Sequence, residues 1–203
     1  LDLDDKDPLY QPLLMTKDAG LKAAAVIQDL LTLTRRGVVQ GEVLSLNQVV
    51  KDYLDSAEHA ATMDPMKSVT IDTTYQEGLH NIEGSPIHLQ KILMNLVSNS
   101  IEAQDDSGSI HISTFNETTT ARSVFHGDLK DGDYVVLSVE DSGSGIPHGD
   151  LDKVFQPFHT TKEMGKSGTG LGMPIVWGVV QDHGGAIDVV SMEGMGTRFD
   201  IYL

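Results

Sequence analysis

The residues best suited to binding chemistry follow a segment of alternating apolar residues at positions 134–140, a pattern that predicts a β-strand. Asp141 comes directly after this segment. An ionised carboxylate accepts hydrogen bonds and donates none, so it suits the exocyclic amine of adenine and opposes the carbonyl of guanine. Gly143 and Gly145 follow and would let a flat base approach the backbone. This segment predicts the adenine end of a nucleotide pocket.

A predicted amphipathic helix upstream carries two asparagines, Asn95 and Asn99, side by side on its shoulder because residues four apart share one side of a helix. Its predicted buried face consists of Leu89, Ile92, Leu93, Leu96, Val97, Ser100 and Ile101. Amides beside a core need hydrogen-bond partners, so both asparagines could simply bind neighbouring backbone. Alternatively, Asn99 offers its carbonyl oxygen to a Mg²⁺ ion that carries phosphates. The neighbouring segments favour the magnesium interpretation.

A glycine-rich segment, residues 168–172, opens another predicted helix downstream. Its backbone N–H groups and the helix N-terminus would face one spot, which suits a phosphate group. Lys162 lies shortly before it and would add positive charge. The segment is not a Walker A loop, because the required Gly-Lys-Ser/Thr spacing is absent. It is not a Rossmann fingerprint either, because no strand runs directly into it.

Composition limits the partners of the chain. Its 203 residues, of which 39% are hydrophobic, suffice for one core with an appendage. A formal net charge of −16 argues against a nucleic-acid partner, which would need basic patches. The absence of cysteine excludes disulfides and fits a cytoplasmic domain. The sequence shows no apolar run long enough to span a membrane. Because the chain begins with Leu1 rather than Met, we expect it to be a piece of a longer protein, which could carry a membrane anchor elsewhere.

The order of elements predicts an α+β fold, a two-layer sandwich rather than a doubly wound sheet, because strands and helices interleave without a regular repeat. Predicted strands cover residues 42–46, 68–74, 79–82, 109–115, 133–140, 186–191 and 196–203. Predicted helices cover residues 19–37, 47–62, 85–103 and 172–183. Asn47 and Ser85 are the predicted N-caps of the second and third helices. The polar segment 116–132 is predicted to be a loop or an irregular hairpin.

The first predicted helix carries a long apolar stripe that needs a partner. That partner could be the core of the same domain, or a second helix in a hairpin or dimer stalk. We expect residues 1–40 to form part of a stalk and residues 41–203 to form a separate domain.

Taken together, these segments resemble the GHKL ATPase superfamily, which includes gyrase, the ATP-dependent heat-shock chaperone, sensor histidine kinases and the mismatch-repair ATPase. The catalytic ATP-binding domain of a sensor histidine kinase of the nitrogen-regulation type is the most similar member. The similar segments are residues 89–103 for the N box, 141–147 for the G1 box, 154–162 for the F box, 168–172 for the G2 box and 194–199 for the closing strand. Residues 19–37 resemble the second helix of the stalk that carries the phospho-acceptor.

The resemblance implies a Bergerat-type fold, ATP and Mg²⁺ as ligands, and a phosphoryl transfer to a histidine on the stalk. The implied nucleotide-binding residues are Asn95, Asn99, Asp141, Gly143, Gly145, Ile146, Thr161, Lys162, Gly168, Thr169, Gly170, Leu171, Gly172 and Thr197. Asn99 would bind the metal, Thr197 would support Asp141 through water, and residues 160–169 would form a mobile lid. A response regulator and a stalk domain are the implied protein partners. The parent protein would be a homodimer, although this piece alone could be a monomer.

The chain also departs from the family pattern. Members that hydrolyse ATP place a glutamate base where Asn95 stands, and an amide cannot accept a proton. Many kinases carry a basic residue and an aromatic residue where Glu102 and Ala103 stand, so Lys162 would have to replace that charge.

The histidines give no phospho-acceptor, because the stalk histidine of the family lies on the first stalk helix and is usually followed by an acidic residue, and none of the eight histidines has that context. We therefore expect the acceptor helix to lie outside this chain, and only His159, beside the predicted lid, hints at a nucleotide contact. A hydrolase, a serine/threonine-directed kinase of the anti-sigma-factor type and a degenerate nucleotide-binding dimerisation module stay open as alternatives.

Overall fold

The computed structural model describes residues 7–34, 41–63, 66–159 and 169–203. The helices in these ranges are α1 Tyr10–Thr34, α2 Leu46–Leu54, α3 Ala57–Thr62, α4 Pro86–Ala103, α5 His148–Leu151 and α6 Gly172–Asp182. The strands are β1 Glu42–Leu44, β2 Ser68–Tyr75, β3 Ile82–Gly84, β4 Ser107–Thr119, β5 Arg122–Ser123, β6 Asp128–Leu129, β7 Gly132–Asp141, β8 Ala186–Met192 and β9 Gly196–Tyr202.

The predicted α+β two-layer sandwich is confirmed. A five-stranded sheet with the order β2-β4-β7-β9-β8 forms one layer; β2 and β4 are parallel, and the other neighbours are antiparallel. Helices α2, α4 and α6 form the other layer, and alternate residues of β4, β7, β8 and β9 pack with them in one core. Asp141 and Thr197 are paired across β7 and β9, at the end of the sheet where β7 finishes.

Helix α4 has the predicted cap and the predicted buried face. Ser85 is its N-cap and accepts a hydrogen bond from the N–H of His88, and Pro86 follows in the first turn, where no intrahelical partner is needed. Its buried residues are Leu89, Ile92, Leu93, Leu96, Val97, Ser100 and Ile101, as the periodicity indicates. This anchored face fixes the sides on which Asn95 and Asn99 lie.

The single helix predicted for residues 47–62 is wrong, because Ser56 starts a second helix by accepting a hydrogen bond from the N–H of His59 at 3.1 Å. The N-cap of α2 is Ser45, not Asn47. The Asn47 side chain instead accepts a hydrogen bond from the Thr114 hydroxyl and donates one to the Gln76 carbonyl. The Asn47 side chain, predicted to cap the helix, therefore makes long-range hydrogen bonds instead.

The predicted strand at residues 79–82 is also wrong. Gly78, in the left-handed region with φ +70°, makes the predicted turn, but the chain beyond it does not fold back onto β2. The Asn116 side chain bonds the N–H of His80 and the carbonyl of Gly78 and holds the segment as a loop. Strand β3 begins later, at Ile82, and pairs with β1.

Residues 116–132 form a hairpin with an extra ribbon at its tip. Strands β4 and β7 pair as far as Thr119 and Gly132, and β5 and β6 form a short ribbon beyond them. The ribbon reaches the edge strand β8, where His126 and Ile187 exchange backbone hydrogen bonds of 2.8 and 2.9 Å. The His126 ring stacks on Trp177 of α6 and meets Phe155 edge-on at 4.4 Å between centroids. Burial in this aromatic cluster lowers the pKa of His126.

Helix α1 starts at Tyr10, before the predicted start at residue 19, and its predicted end at residues 35–37 lies outside the described ranges. It contacts α6, and Val26 packs against the core. Much of its apolar surface is exposed, including Leu13, Leu14, Met15, Leu21, Ile27, Leu30 and Leu31. Across the described part of the chain, no helix combines the length and hydropathy that a bilayer span requires.

Candidate nucleotide-binding site

A cavity of about 530 Å³ opens between α4, the end of β7, the loop after it and the start of α6. Most of the described residues predicted to bind nucleotide line it, namely Asn95, Asn99, Asp141, Gly145, Ile146, Thr169, Gly170, Gly172 and Thr197. The volume falls in the range of small-molecule sites, about 300–1,000 Å³. Four segments that are far apart in sequence, α4, the end of β7 with its loop, the start of α6 and β9, therefore meet around one space.

Asp141 is a buried charged residue at the cavity wall, with 7% of its surface exposed. Its Oδ1 atom accepts hydrogen bonds from the N–H groups of Gly143 at 2.9 Å and Thr197 at 3.3 Å. Its Oδ2 atom accepts one from the Ser100 hydroxyl at 3.1 Å. These donors fix the plane of the carboxylate at the cavity wall.

The pKa of Asp141 is raised, chiefly because burial disfavours the charged form. The three hydrogen bonds from Gly143, Ser100 and Thr197 favour the ionised form and oppose this rise, whereas the charge of Glu140 adds to it. A buried carboxylate with three donors is thereby held ready to accept one more hydrogen bond from a ligand.

The two glycines after Asp141 are required by the protein backbone. A Cβ on Gly143 would lie 2.7 Å from the carbonyl oxygen of Ala103, and Gly143 does not line the cavity. A Cβ on Gly145, where φ is +68°, would lie 2.2 Å from the carbonyl oxygen of Met192. Close contact with the protein backbone thus explains both glycines, and only Gly145 lies at the cavity, where it could also let a base approach.

The remaining adenine-end residues form a linked set. The N–H of Ile146 donates to the Ser191 hydroxyl at 2.8 Å, and that hydroxyl lies 2.8 Å from the Thr197 hydroxyl. Thr197 is buried and lines the cavity beside Asp141. Apolar side chains of Val154, Met173 and Phe199 complete the lining and could pack against a base.

The two asparagines differ in their contacts. Asn95 donates from Nδ2 to the carbonyl of Lys91 at 2.8 Å, and its Oδ1 would lie 2.8 Å from a Cβ on Gly172. Its amide is thus engaged where α4 and α6 approach each other. Asn99 is half-buried and faces the cavity, and among the described residues no side chain is hydrogen-bonded to its amide. The oxygen of Asn99 is therefore available to a ligand.

Thr169, Gly170 and Gly172 surround the N-terminus of α6 at the other end of the cavity. The N-cap Leu171 makes no side-chain cap, and its own N–H donates to the Thr169 hydroxyl at 3.3 Å. Because Pro174 has no N–H, Gly172 and Met173, which line the cavity, carry the N–H groups of the first turn that a phosphate could use. Leu171 is fully buried and does not line the cavity, so only its backbone could reach a phosphate. Thr161, Lys162 and Gly168 lie outside the described residues.

Ser100 is a site residue that the sequence pattern did not reveal, because it appeared there only as part of the buried face of α4. A buried hydroxyl needs a hydrogen-bond partner, and its place next to Asn99 was the available signal. The acidic character of the cavity was not predicted either; Glu102 and Asp150 line it together with Asp141. Lys153 lowers the pKa of Asp150 through a hydrogen bond of 2.8 Å, and nearby His159, which lines the cavity, lowers it slightly further.

Comparison with known proteins agrees with this geometry. The family described as histidine kinase-, DNA gyrase B- and HSP90-like ATPase matches residues 84–203. Sensor kinase CckA of Brucella abortus is 34% identical over 198 residues, which cover 97% of this chain and 20% of that protein. Sensor histidine kinase ZraS of Salmonella typhimurium is 31% identical, with 93% of this chain and 36% of that protein covered. The chain thus spans only about a fifth to a third of these relatives.

Solved structures share the fold. Full-length ShkA in complex with AMPPNP superimposes with a TM-score of 0.74 at 19% identity, covering 99% of this chain and 40% of that one. Histidine kinase ThkA in complex with the response regulator TrrA gives a TM-score of 0.66 at 20% identity, covering 99% of this chain and 52% of that one. Because the family match covers more than half of the sequence, the chain belongs to the histidine kinase-, DNA gyrase B- and HSP90-like ATPases, and the relatives it resembles over nearly its whole length are sensor kinases.

Proposed function

We propose that this chain binds Mg-ATP in the cavity and delivers the γ-phosphoryl group to a histidine on a stalk helix that is not part of this chain. The observation that carries the proposal is Asp141, a buried carboxylate held by three donors at the wall of a nucleotide-sized cavity. Such a group matches the adenine amine and opposes guanine. The AMPPNP bound by the structural neighbour ShkA supports an adenine nucleotide as the ligand.

The charge of the cavity requires positive groups near the phosphates. Asp141 and Glu102 line it, as does Asp150, which is paired with Lys153 at 2.8 Å, and a triphosphate would add further negative charge. The Asn99 oxygen suits Mg²⁺, which usually takes few protein ligands and shares phosphates and water. Bound there, the metal would neutralise phosphate charge; Lys162 and the N-terminus of α6 would add to this effect.

The residues on α4 favour transfer to a protein over hydrolysis. Asn95 lines the cavity where hydrolysing relatives carry a glutamate, and its amide cannot accept a proton from water. Phosphoryl transfer then depends on positioning and charge neutralisation, without a covalent intermediate on the protein. Thr161, Lys162, Gly168 and the backbone of residues 169–172 would hold the phosphates in place.

We also propose that residues 1–40 belong to a dimeric stalk and that residues 41–203 form the catalytic domain, working in the cytoplasm. The exposed apolar residues of α1 support this division, because a long helix with such a surface is typical of one that packs with other helices. The response regulator bound by ThkA supports a partner of that class for the parent protein. The nitrogen-regulation type stays a prediction.

The test is transfer in trans. The purified chain is incubated with γ-labelled ATP, magnesium and a separately purified stalk domain that has its acceptor histidine. We expect acid-labile label on the stalk, none with the histidine replaced by alanine, and none on this chain alone. Absence of label from the intact stalk, or acid-stable label on serine, would contradict transfer to histidine.

A further inference from the structure

The last turn of α4 ends beside the adenine end of the cavity, and its carbonyl groups have unusual partners. The final carbonyls of a helix have no intrahelical donors and need others. Here the Lys67 ammonium donates to the carbonyls of Ile101 at 3.1 Å, Glu102 at 3.5 Å and Gln104. The carbonyl of Ala103 accepts from the N–H of Ser144 at 2.9 Å. One ammonium group and one loop amide therefore bind the carbonyls of the last three residues of the helix, Ile101, Glu102 and Ala103.

Lys67 reaches this position from the segment just before β2, more than thirty residues away in sequence. The last turn of α4 contains no basic residue of its own. A cation at a helix C-terminus interacts favourably with the helix dipole, and the half-buried setting of Lys67 limits the screening of its charge by water. Lys67 is thus the charge that stabilises the end of α4.

The same turn carries contacts that shape the adenine end. Ser100, in this last turn, donates to Oδ2 of Asp141 at 3.1 Å. Ala103 holds the loop after Asp141 through Ser144, and Gly143 packs directly on its carbonyl. If the turn frays, the Ser100 hydroxyl and the loop backbone lose their fixed distance to Asp141.

We propose that Lys67 is a positioning residue for adenine recognition: by capping α4 it holds Ser100 and the Ser144 loop against Asp141. Lys67 itself does not line the cavity, so it acts through the helix end rather than by touching the nucleotide. The inference rests on the proposed binding of ATP in this cavity.

The test compares Lys67→Met, which keeps most of the aliphatic stem and removes the charge, with wild type by isothermal titration calorimetry. We expect about tenfold weaker binding of both Mg-ATP and adenosine, because a lost cap of about 1.4 kcal/mol acts on the adenine end that both ligands share. The ratio of ATP to GTP affinity should fall as well. Lys51→Met is the matched control, because Lys51 lies over the Tyr75 ring and not at the cavity, and it should leave affinity unchanged.

A double-mutant cycle separates positioning from general stability. In a Ser100→Ala background, Lys67→Met should weaken ATP binding much less than in wild type, because the hydroxyl that it positions is already gone. Should Lys67→Met not fold, Lys67→Gln is measured in the same cycle, with a smaller loss expected. A folded Lys67 variant with wild-type affinity, or a fully additive cycle, would overturn the inference. Failure of the wild-type chain to bind ATP would instead overturn the proposed function.

Discussion

At the scale of single residues, the site depends on how one carboxylate is solvated by the protein. Asp141 loses water on burial and gains three donors, Gly143, Thr197 and Ser100, in its place. The donors do not fully compensate, since the pKa of the group stays raised. A site that retains a costly charge after folding can recover part of that cost when a ligand donates another hydrogen bond.

Replacing Asp141 with asparagine should separate binding from stability. The amide removes the buried charge, keeps an acceptor for the two N–H groups and turns a donor toward the adenine amine. We expect Mg-ATP affinity to fall about 10- to 100-fold, as when a charged hydrogen-bond partner is lost. The thermal midpoint without nucleotide should stay level or rise. Calorimetry and thermal denaturation measure the two effects, and a destabilised variant would show that the charge supports the fold instead.

Acidification should release ATP before it affects this part of the fold. Because the pKa of Asp141 is raised, the group takes up a proton at higher pH than an ordinary aspartate, and the protonated form no longer favours the adenine amine. The effect of acid on folding stability is opposite to its effect on binding. Because the pKa of Asp141 is higher in the folded than in the unfolded chain, its contribution to stability is fully present below the unfolded pKa and is lost as pH rises through the folded pKa.

The Ser100→Ala variant makes this pH effect specific. Loss of the Ser100 hydrogen bond removes one cause that lowers the pKa of Asp141, so the acid limb of ATP binding should move to higher pH. Ser98→Ala is the control, since Ser98 lines the cavity and makes no described hydrogen bond to Asp141. Nucleotide titrations across a pH series give, for each protein, the pH at which ATP binding is lost on acidification. Identical curves for wild type and Ser100→Ala would contradict a role of the Ser100 hydrogen bond in the titration of Asp141.

At the scale of elements, local sequence patterns predicted the features of helices and strands that depend on residues close together in the sequence. The cap and buried face of α4 follow from Ser85, Pro86 and a helical period, and the structure has both. Asn47 and the segment before β3 could not be predicted, because their partners, Thr114 and Asn116, lie far away in the chain. The contact of Ser100 with Asp141 joins residues 41 apart and was hidden for the same reason.

The loop after β7 offers a test of how tightly elements meet at the site. Gly145→Ala combines a left-handed φ with a contact of 2.2 Å to the Met192 carbonyl, so the loop must shift. Gly78→Ala has nearly the same φ, +70°, and open space around the new methyl group, so it isolates the conformational cost. We expect Gly78→Ala to cost about 1 kcal/mol and Gly145→Ala about 2–4 kcal/mol, together with weaker ATP binding. Urea unfolding compares them, and equal losses would contradict the close approach.

At the scale of the whole molecule, composition excluded partners but could not identify the site. The net charge of −16 argued against nucleic acid, yet it also left the phosphate end without an obvious cation. The motifs supplied what composition could not: the family match spans residues 84–203, and the cavity is lined by residues of the N box, the segment from Asp141 and the glycine-rich turn. The positions of Thr161, Lys162 and Gly168 fall outside the described residues, so their roles stay predictions.

The division into stalk and catalytic domain predicts the outcome of a truncation. Helix α1 contacts α6 and packs Val26 against the core, but it contributes no residue to the cavity. A chain of residues 41–203 should therefore fold, with a loss of about 1 kcal/mol in stability for the partly exposed apolar contact of α1. Because α1 does not line the cavity, its affinity for Mg-ATP should stay within about threefold of that of the full chain. Circular dichroism and calorimetry test this. An unfolded truncation would place α1 within the catalytic domain.

The most direct measurement is calorimetric titration of the wild-type chain with Mg-ATP and, in parallel, with Mg-GTP. The Asp141 carboxylate should give a saturable exothermic signal with ATP and at least about tenfold weaker binding with GTP, whose carbonyl faces the same acceptor. No heat with ATP, or equal affinity for the two nucleotides, would contradict adenine recognition by Asp141.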